Sequence, residues 1–187
     1  MLKEKLAHTI EQQPIALFSI EKEYAERNGL LSANQLVQPK QWDFSAIELC
    51  LKETEEMLEE KAPSFMNEPV SYFGVNIDQF VYVESEAFTT IGVDAMAIEM
   101  DDVFQTITVL FGLKLQKKWG AFIKEHLETN VGLKTYSAMF SDQDGLWDIN
   151  IPLDALEGFH KDLPIKDAVD LAYRFIFNML AALEATN

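Results

Sequence analysis

The pattern that most restricts the fold lies between residues 133 and 151. Two apolar runs, 133–140 and 146–151, flank the turn-forming Ser141-Asp142-Gln143-Asp144-Gly145. In the second run Trp147, Ile149 and Ile151 alternate with Asp148 and Asn150, so one face of a strand is apolar and the other polar. Turn residues between two such runs specify a hairpin. A lone hairpin is marginal in water and needs further strands or a helix to cover it. The cover is visible downstream, where Pro164 opens a helix whose Ile165, Ala168, Val169, Ala172, Phe175, Ile176, Met179, Leu180 and Leu183 form one broad apolar stripe. Pro152 stops the second strand, and 153–159 reads as a short helical turn.

Upstream, Leu2, Leu6 and Ile10 predict a helix over 2–12, and a second runs from Pro14 to a glycine cap at Gly29. Residues 30–41 read as a loop. A third helix is expected from Ser45, because Ser45 and Glu48 match a capping box and Ile47, Cys50, Leu51, Thr54 and Leu58 share a face. Residues 70–100 are rich in β-branched and aromatic side chains and predict three strands, 71–76, 79–84 and 88–99. Asp101 and Asp102 are placed to start a further helix carrying Phe104, Ile107, Phe111, Leu115, Trp119, Phe122 and Ile123 down to Glu128. The expected order is α-α-α-β-β-β-α-β-β-α. Strands arriving in groups indicate an α+β fold with an antiparallel sheet of about five strands packed by helices. One domain spans 1–187, with 1–43 read as a helical N-terminal extension on an α+β core over 44–187. From residue 44 onward this order is similar to that of the type III secretion chaperones, a resemblance in element order.

Length and composition agree with one self-sufficient core. A chain of 187 residues, 48% hydrophobic and with 13 Phe, buries enough surface to fold without a disulfide or metal. Cys50 is the lone cysteine, so no intramolecular disulfide is possible. No apolar run reaches the roughly 20 residues of a membrane span, and the first residues alternate charge with apolar side chains, unlike a signal peptide. The expected location is the cytoplasm. Acidic residues number 31 against 15 basic ones, a formal charge of −16. Residues 1–113 carry 20 of the acids and 7 of the bases. Such a surface repels nucleic acid and anionic membranes and favours a basic or apolar-rich protein partner.

Three constellations could carry chemistry. Asp142 and Asp144, with Asp148 nearby, suggest a calcium loop, but aligning Gly145 with the loop glycine puts Phe140 and Ile151 at two ligand positions. Tight-turn chemistry accounts for the same residues. Asp94, Glu99, Asp101 and Asp102 would converge if a strand ended near 99 and a helix began at 101, and crowded carboxylates can recruit a cation or share a proton. Capping by Asp101 and Asp102 is the plainer expectation. Lys114, Lys117, Lys118 and Lys124, interleaved with Trp119 and Phe122, form a basic island that could pair with the glutamate-rich third helix, within the chain or across a homodimer. Cys50, on an apolar face, is expected to be structural. His8, His126 and His160 make no metal-pair spacing, and G-x-S-x-G, P-loop and dinucleotide fingerprints are absent.

The expectation is a non-enzymatic protein-binding module, chaperone-like or inhibitory, without cofactor. A carboxylate- or metal-dependent enzyme using 94–102 is the first alternative. A small-molecule binder, resting on the aromatic residues of 72–88 and 104–122, is the second.

Overall fold

The computed structural model describes residues 1–32, 34–132 and 136–186. Its centre is an antiparallel sheet of seven strands: β3 (Ala46–Leu51), β4 (Met57–Glu60), β5 (Gln79–Glu84), β6 (Val93–Met100), β7 (Ile107–Leu113), β8 (Ser137–Ser141) and β9 (Leu146–Pro152). Across the sheet they lie in the order β4-β3-β5-β6-β7-β9-β8. A parallel pair, β1 (Ile15–Leu17) and β2 (Val37–Pro39), stands apart from it.

The register explains why the sheet closes on a core. Leu49 faces Val81, Val81 faces Ile98, Ile98 faces Val109 and Val109 faces Ile151. One step along, Ile47, Val83, Met96, Phe111 and Ile149 make a second row, and Val93, Leu113 and Trp147 a third. All of these side chains are buried. Since side-chain direction alternates along a strand, a one-residue slip of any strand would expel its whole apolar set, so the register is strongly fixed. Against this inner face packs α6 (Ile165–Ala185), whose buried stripe matches the one read from the sequence except that Tyr173 and Phe177 join it and Phe175 is only partly buried.

The other helices are α1 (Leu2–Glu11), α2 (Ser19–Arg27), α3 (Tyr72–Val75), α4 (Phe88–Ile91) and α5 (Gly120–Asn130). Leu2, Leu6 and Ile10 of α1, with Ile15, Leu17, Phe18 and Ala25, join the same buried cluster as the sheet and α6. A polar link fastens this N-terminal layer. The Glu21 carboxylate, 1% exposed, accepts the Phe18 N–H at 2.9 Å and the Tyr173 hydroxyl at 2.5 Å. Phe18, Trp42 and Phe177 lie against the Tyr173 ring.

Several expectations are corrected. The third helix is absent: residues 46–60 form the β3–β4 hairpin, because Ile47 and Leu49 alternate with Glu48 and Cys50, and that two-residue period is satisfied against β5. Four-residue spacing and a capping box were equally present in the sequence, and tertiary pairing decided between them. Residues 72–75 are helical where a strand was expected, and 88–91 form α4, ended by Gly92 at φ 72° in the left-handed region that favours glycine. The helix expected from 101 to 128 divides into β7 and α5, so the sheet has seven strands rather than about five. The element order that resembled the secretion chaperones is not kept. Residues 14–29, expected as one helix, hold β1 and α2. By contrast 79–84, the 146–151 arm, and the helices at 2–12 and after Pro164 stand where expected, with small shifts at their ends. Leu133, Lys134 and Thr135 of the first hairpin arm lie outside the described residues.

Close packing makes Gly120 a sensitive position. A Cβ there would stand 2.5 Å from Trp147 Cη2 and 2.8 Å from Cζ2, a rigid ring that is 5% exposed. Gly120→Ala is therefore expected to cost about 1–3 kcal/mol despite the helix propensity it gains. Thermal melts of Gly120→Ala, Trp147→Leu and the double variant test this. The double variant should be more stable than the sum of the single losses implies, and strict additivity would contradict the clash.

Candidate functional site: the open face of the sheet

Alternation that sends one set of side chains into the core sends the other set to the opposite face. Row by row this second face reads Glu48, Tyr82, Ala97, Leu110 and Asn150, then Cys50, Phe80, Glu99, Thr108 and Pro152, with Ala46, Glu84 and Ala95 beyond. Most of these residues are partly exposed. The middle forms a shallow depression of about 380 Å³, floored by Tyr82, Ala95, Ala97, Leu110 and Leu146 and edged by Asp94, Asp148 and Asn150. Leu146 folds over Gly112, where a Cβ would meet its methyl groups at 3.3 Å. The Tyr82 hydroxyl donates to Glu84 at 2.6 Å, and burial followed by that carboxylate's hydrogen bond pushes its pKa up to about 12. The depression thus has an apolar floor and two aspartates, Asp94 and Asp148, at its edge.

One end of the sheet adds to this. There β3 and β6 end while β4, β5 and β7 begin; Met57 and Leu58 at the start of β4, Val75 at the end of α3, and Ile77, Val103 and Phe104 in the connections are all exposed. Val75 is 86% exposed, Val103 82% and Phe104 63%. Glu53, Glu55, Glu56, Asp78, Asp101 and Asp102 lie in the same connections. Strand β4 pairs only with β3, so its other edge is also unpaired within the sheet.

The carboxylates singled out in the sequence reach this region but have different partners. Asp94 accepts from Lys114 Nζ at 2.6 Å. Asp101 does not start a helix. Its Oδ1 accepts the Val103 and Phe104 N–H groups at 2.8 Å each, and the chain turns through Gln105, at φ 54°, into β7. The capping chemistry is that expected of aspartate, used in a hairpin turn. Asp102 accepts from Lys52 Nζ at 2.6 Å, the same ammonium that donates to the Met100 carbonyl at 2.7 Å and lies 3.9 Å from Glu99. In the hairpin tip Asp142 takes Lys117 at 2.7 Å and Asp144 accepts from Ser141 Oγ at 2.6 Å, while Asp148 projects from β9 onto the open face. Among the described residues, no group of three or more His, Cys, Asp or Glu side chains is arranged to hold a metal ion.

The remaining candidates are corrected or placed. The basic island does not meet the glutamate-rich third helix, because those residues form β3 and β4. Lys114 and Lys117 pair with Asp94 and Asp142, and Lys118 lies over the Trp119 ring. Cys50 is buried on the second face, where desolvation and then Glu48 raise its thiol pKa. His126 stacks on Phe122 and burial lowers its pKa. Lys52, which organises the acidic connections, was missed. Its one signal was a single lysine at the start of the acidic stretch 53–60.

Lys52 offers a test of the site's electrostatics. Burial raises the Glu99 pKa from its ordinary value, and Lys52 opposes that rise. Removing the ammonium in Lys52→Met should raise it further. A native carboxyl with a raised pKa keeps a proton that the unfolded chain has released, so stability falls as pH climbs from about 4.3 through the native value. Melts of Lys52→Met should thus lose more stability between pH 4 and 7 than those of the parent. An unchanged slope would show that Lys52 does not govern Glu99.

No helix among the described residues is long and apolar enough to cross a membrane. Comparison with protein-family models, with curated proteins and with solved structures finds no match.

Proposed function

We propose that this chain is a non-enzymatic binding module that holds a basic, apolar-containing protein segment against the open sheet face and its adjoining apolar end. The observation that carries the reading is the layout of side chains. Six of the large apolar residues exposed on the molecule hang from one end of the sheet, among carboxylates and next to a face floored by Tyr82, Ala97 and Leu110. Each carboxylate of 94–102 is committed to a lysine or to a turn, so these side chains support a surface role. Two copies meeting through this face would set like charges opposite one another, and that favours a cationic partner over a homodimer.

The test uses defined peptides. A labelled peptide alternating lysine with leucine should bind, and one alternating glutamate with leucine should not. Binding should weaken as salt shortens the Debye length from about 10 Å at 0.1 M to about 3 Å at 1 M. Equal binding of both peptides, or none of the cationic one, would overturn the reading.

A further inference from the structure

Two lysines that have no carboxylate partner among the described residues, Lys5 and Lys40, line one hollow. Between α1, β1, α4 and the chain leaving β2 lies a cavity of about 460 Å³. Lys5, His8 and Gln12 of the first helical segment, Lys40, and Thr89 and Thr90 of α4 supply its polar lining, with Glu86 as its one carboxylate. Lys5 Nζ is held on the Thr89 carbonyl at 2.6 Å, and Lys40 Nζ lies 5.3 Å from the centre of the Phe18 ring. Neither has a carboxylate within 4 Å among the described residues, a state they share with Lys3, Lys118, Lys124, Lys161 and Lys166. A third cation, Lys114, is close enough to Lys5 to lower its pKa along with burial. An anion bound in the hollow would offset the burial that lowers the Lys5 pKa.

We infer that this hollow is a binding site for a small oxyanion, a phosphate- or carboxylate-bearing metabolite held by Lys5 and Lys40. Lys5 is pre-positioned by its backbone hydrogen bond, so little side-chain freedom is lost on binding. The volume falls in the range of small-ligand sites, about 300–1,000 Å³. The site draws on side chains outside the open face and does not depend on the function proposed for that face.

Thermal stability measured in inorganic phosphate, pyrophosphate and citrate, each against chloride at equal ionic strength, tests it. A ligand selective for the native state raises the melting temperature with concentration. At least one anion should do so for the parent chain, phosphate or pyrophosphate marking a phosphate site and citrate a carboxylate site. The shift should vanish in Lys5→Gln and in Lys40→Gln, and persist in Lys161→Gln, which alters a lysine outside the cavity. Lys40→Gln serves by itself if Lys5→Gln does not fold. No shift with any of the three anions, or an equal shift in the Lys5 and Lys40 variants, would overturn the inference.

Discussion

Tyr173→Phe is expected to lower stability by about 2–4 kcal/mol, although it removes a single oxygen atom. Tyr173 is fully buried, and its hydroxyl donates to Glu21, itself 1% exposed. Without that donor, one oxygen of the buried Glu21 carboxylate loses its partner, and burial keeps water from replacing the lost bond. For a chain of this size each kcal/mol lowers the melting temperature by roughly 2–4 °C. The double variant Tyr173→Phe, Glu21→Leu should recover part of the loss, because replacing both partners leaves no orphaned charge. Full recovery is not expected, since Glu21 also accepts the Phe18 N–H at the start of α2. A Tyr173→Phe variant as stable as the parent would show that the Glu21 link does not fasten the N-terminal layer. The same tyrosine gives an alkaline signature. Burial, and then the Glu21 charge, raise its pKa well above 10. Above pH 10 the unfolded chain releases a proton that the native state keeps, so stability should fall by about 1.4 kcal/mol per pH unit from this residue, and the phenylalanine variant should lack that slope.

Leu110→Arg carries the second large effect. Leu110 stands in the middle of the open face, between Ala97 and Asn150, and is partly exposed. Arginine there adds a positive charge and a long side chain to the depression that is proposed to receive cationic residues. Affinity for the lysine–leucine peptide should fall at least tenfold, which is about 1.4 kcal/mol. Thr129→Arg places the same charge on the exposed surface of α5, and its affinity should stay within a few tenths of a kcal/mol of the parent. If both variants weaken binding equally, the effect is one of net charge, and the open face is not the site.

The sequence made the elements legible where local pattern and tertiary context agree. The 146–151 arm alternates cleanly and its neighbours in β7 bury the same positions, so pattern and sheet coincide. Residues 165–185 carry a 3.6-residue stripe too long to satisfy any strand. The failures have one physical source. In 46–51 and 107–113 the apolar residues fit both a strand and a helix, and only the register with β5, β6 and β9 resolves them. The Asp101 cap was foreseen as chemistry and misplaced as structure, since an aspartate accepts two backbone N–H groups in a turn as readily as at a helix start. The open face could not be read at all. Its members come from five strands, and Glu48, Tyr82, Ala97, Leu110 and Asn150 become neighbours through cross-strand register, which no local pattern records.

That register also supplies the most direct test of the account. Hydroxyl-radical footprinting should be run on the chain with and without the lysine–leucine peptide, reading Tyr82, Leu110 and Leu146 on the open face against Phe122 and Phe175 on the helical side. The expected result is protection of the first three on adding peptide, with the two phenylalanines unchanged. Protection of the helical side, or bound peptide that leaves Tyr82 and Leu110 as reactive as before, would contradict it.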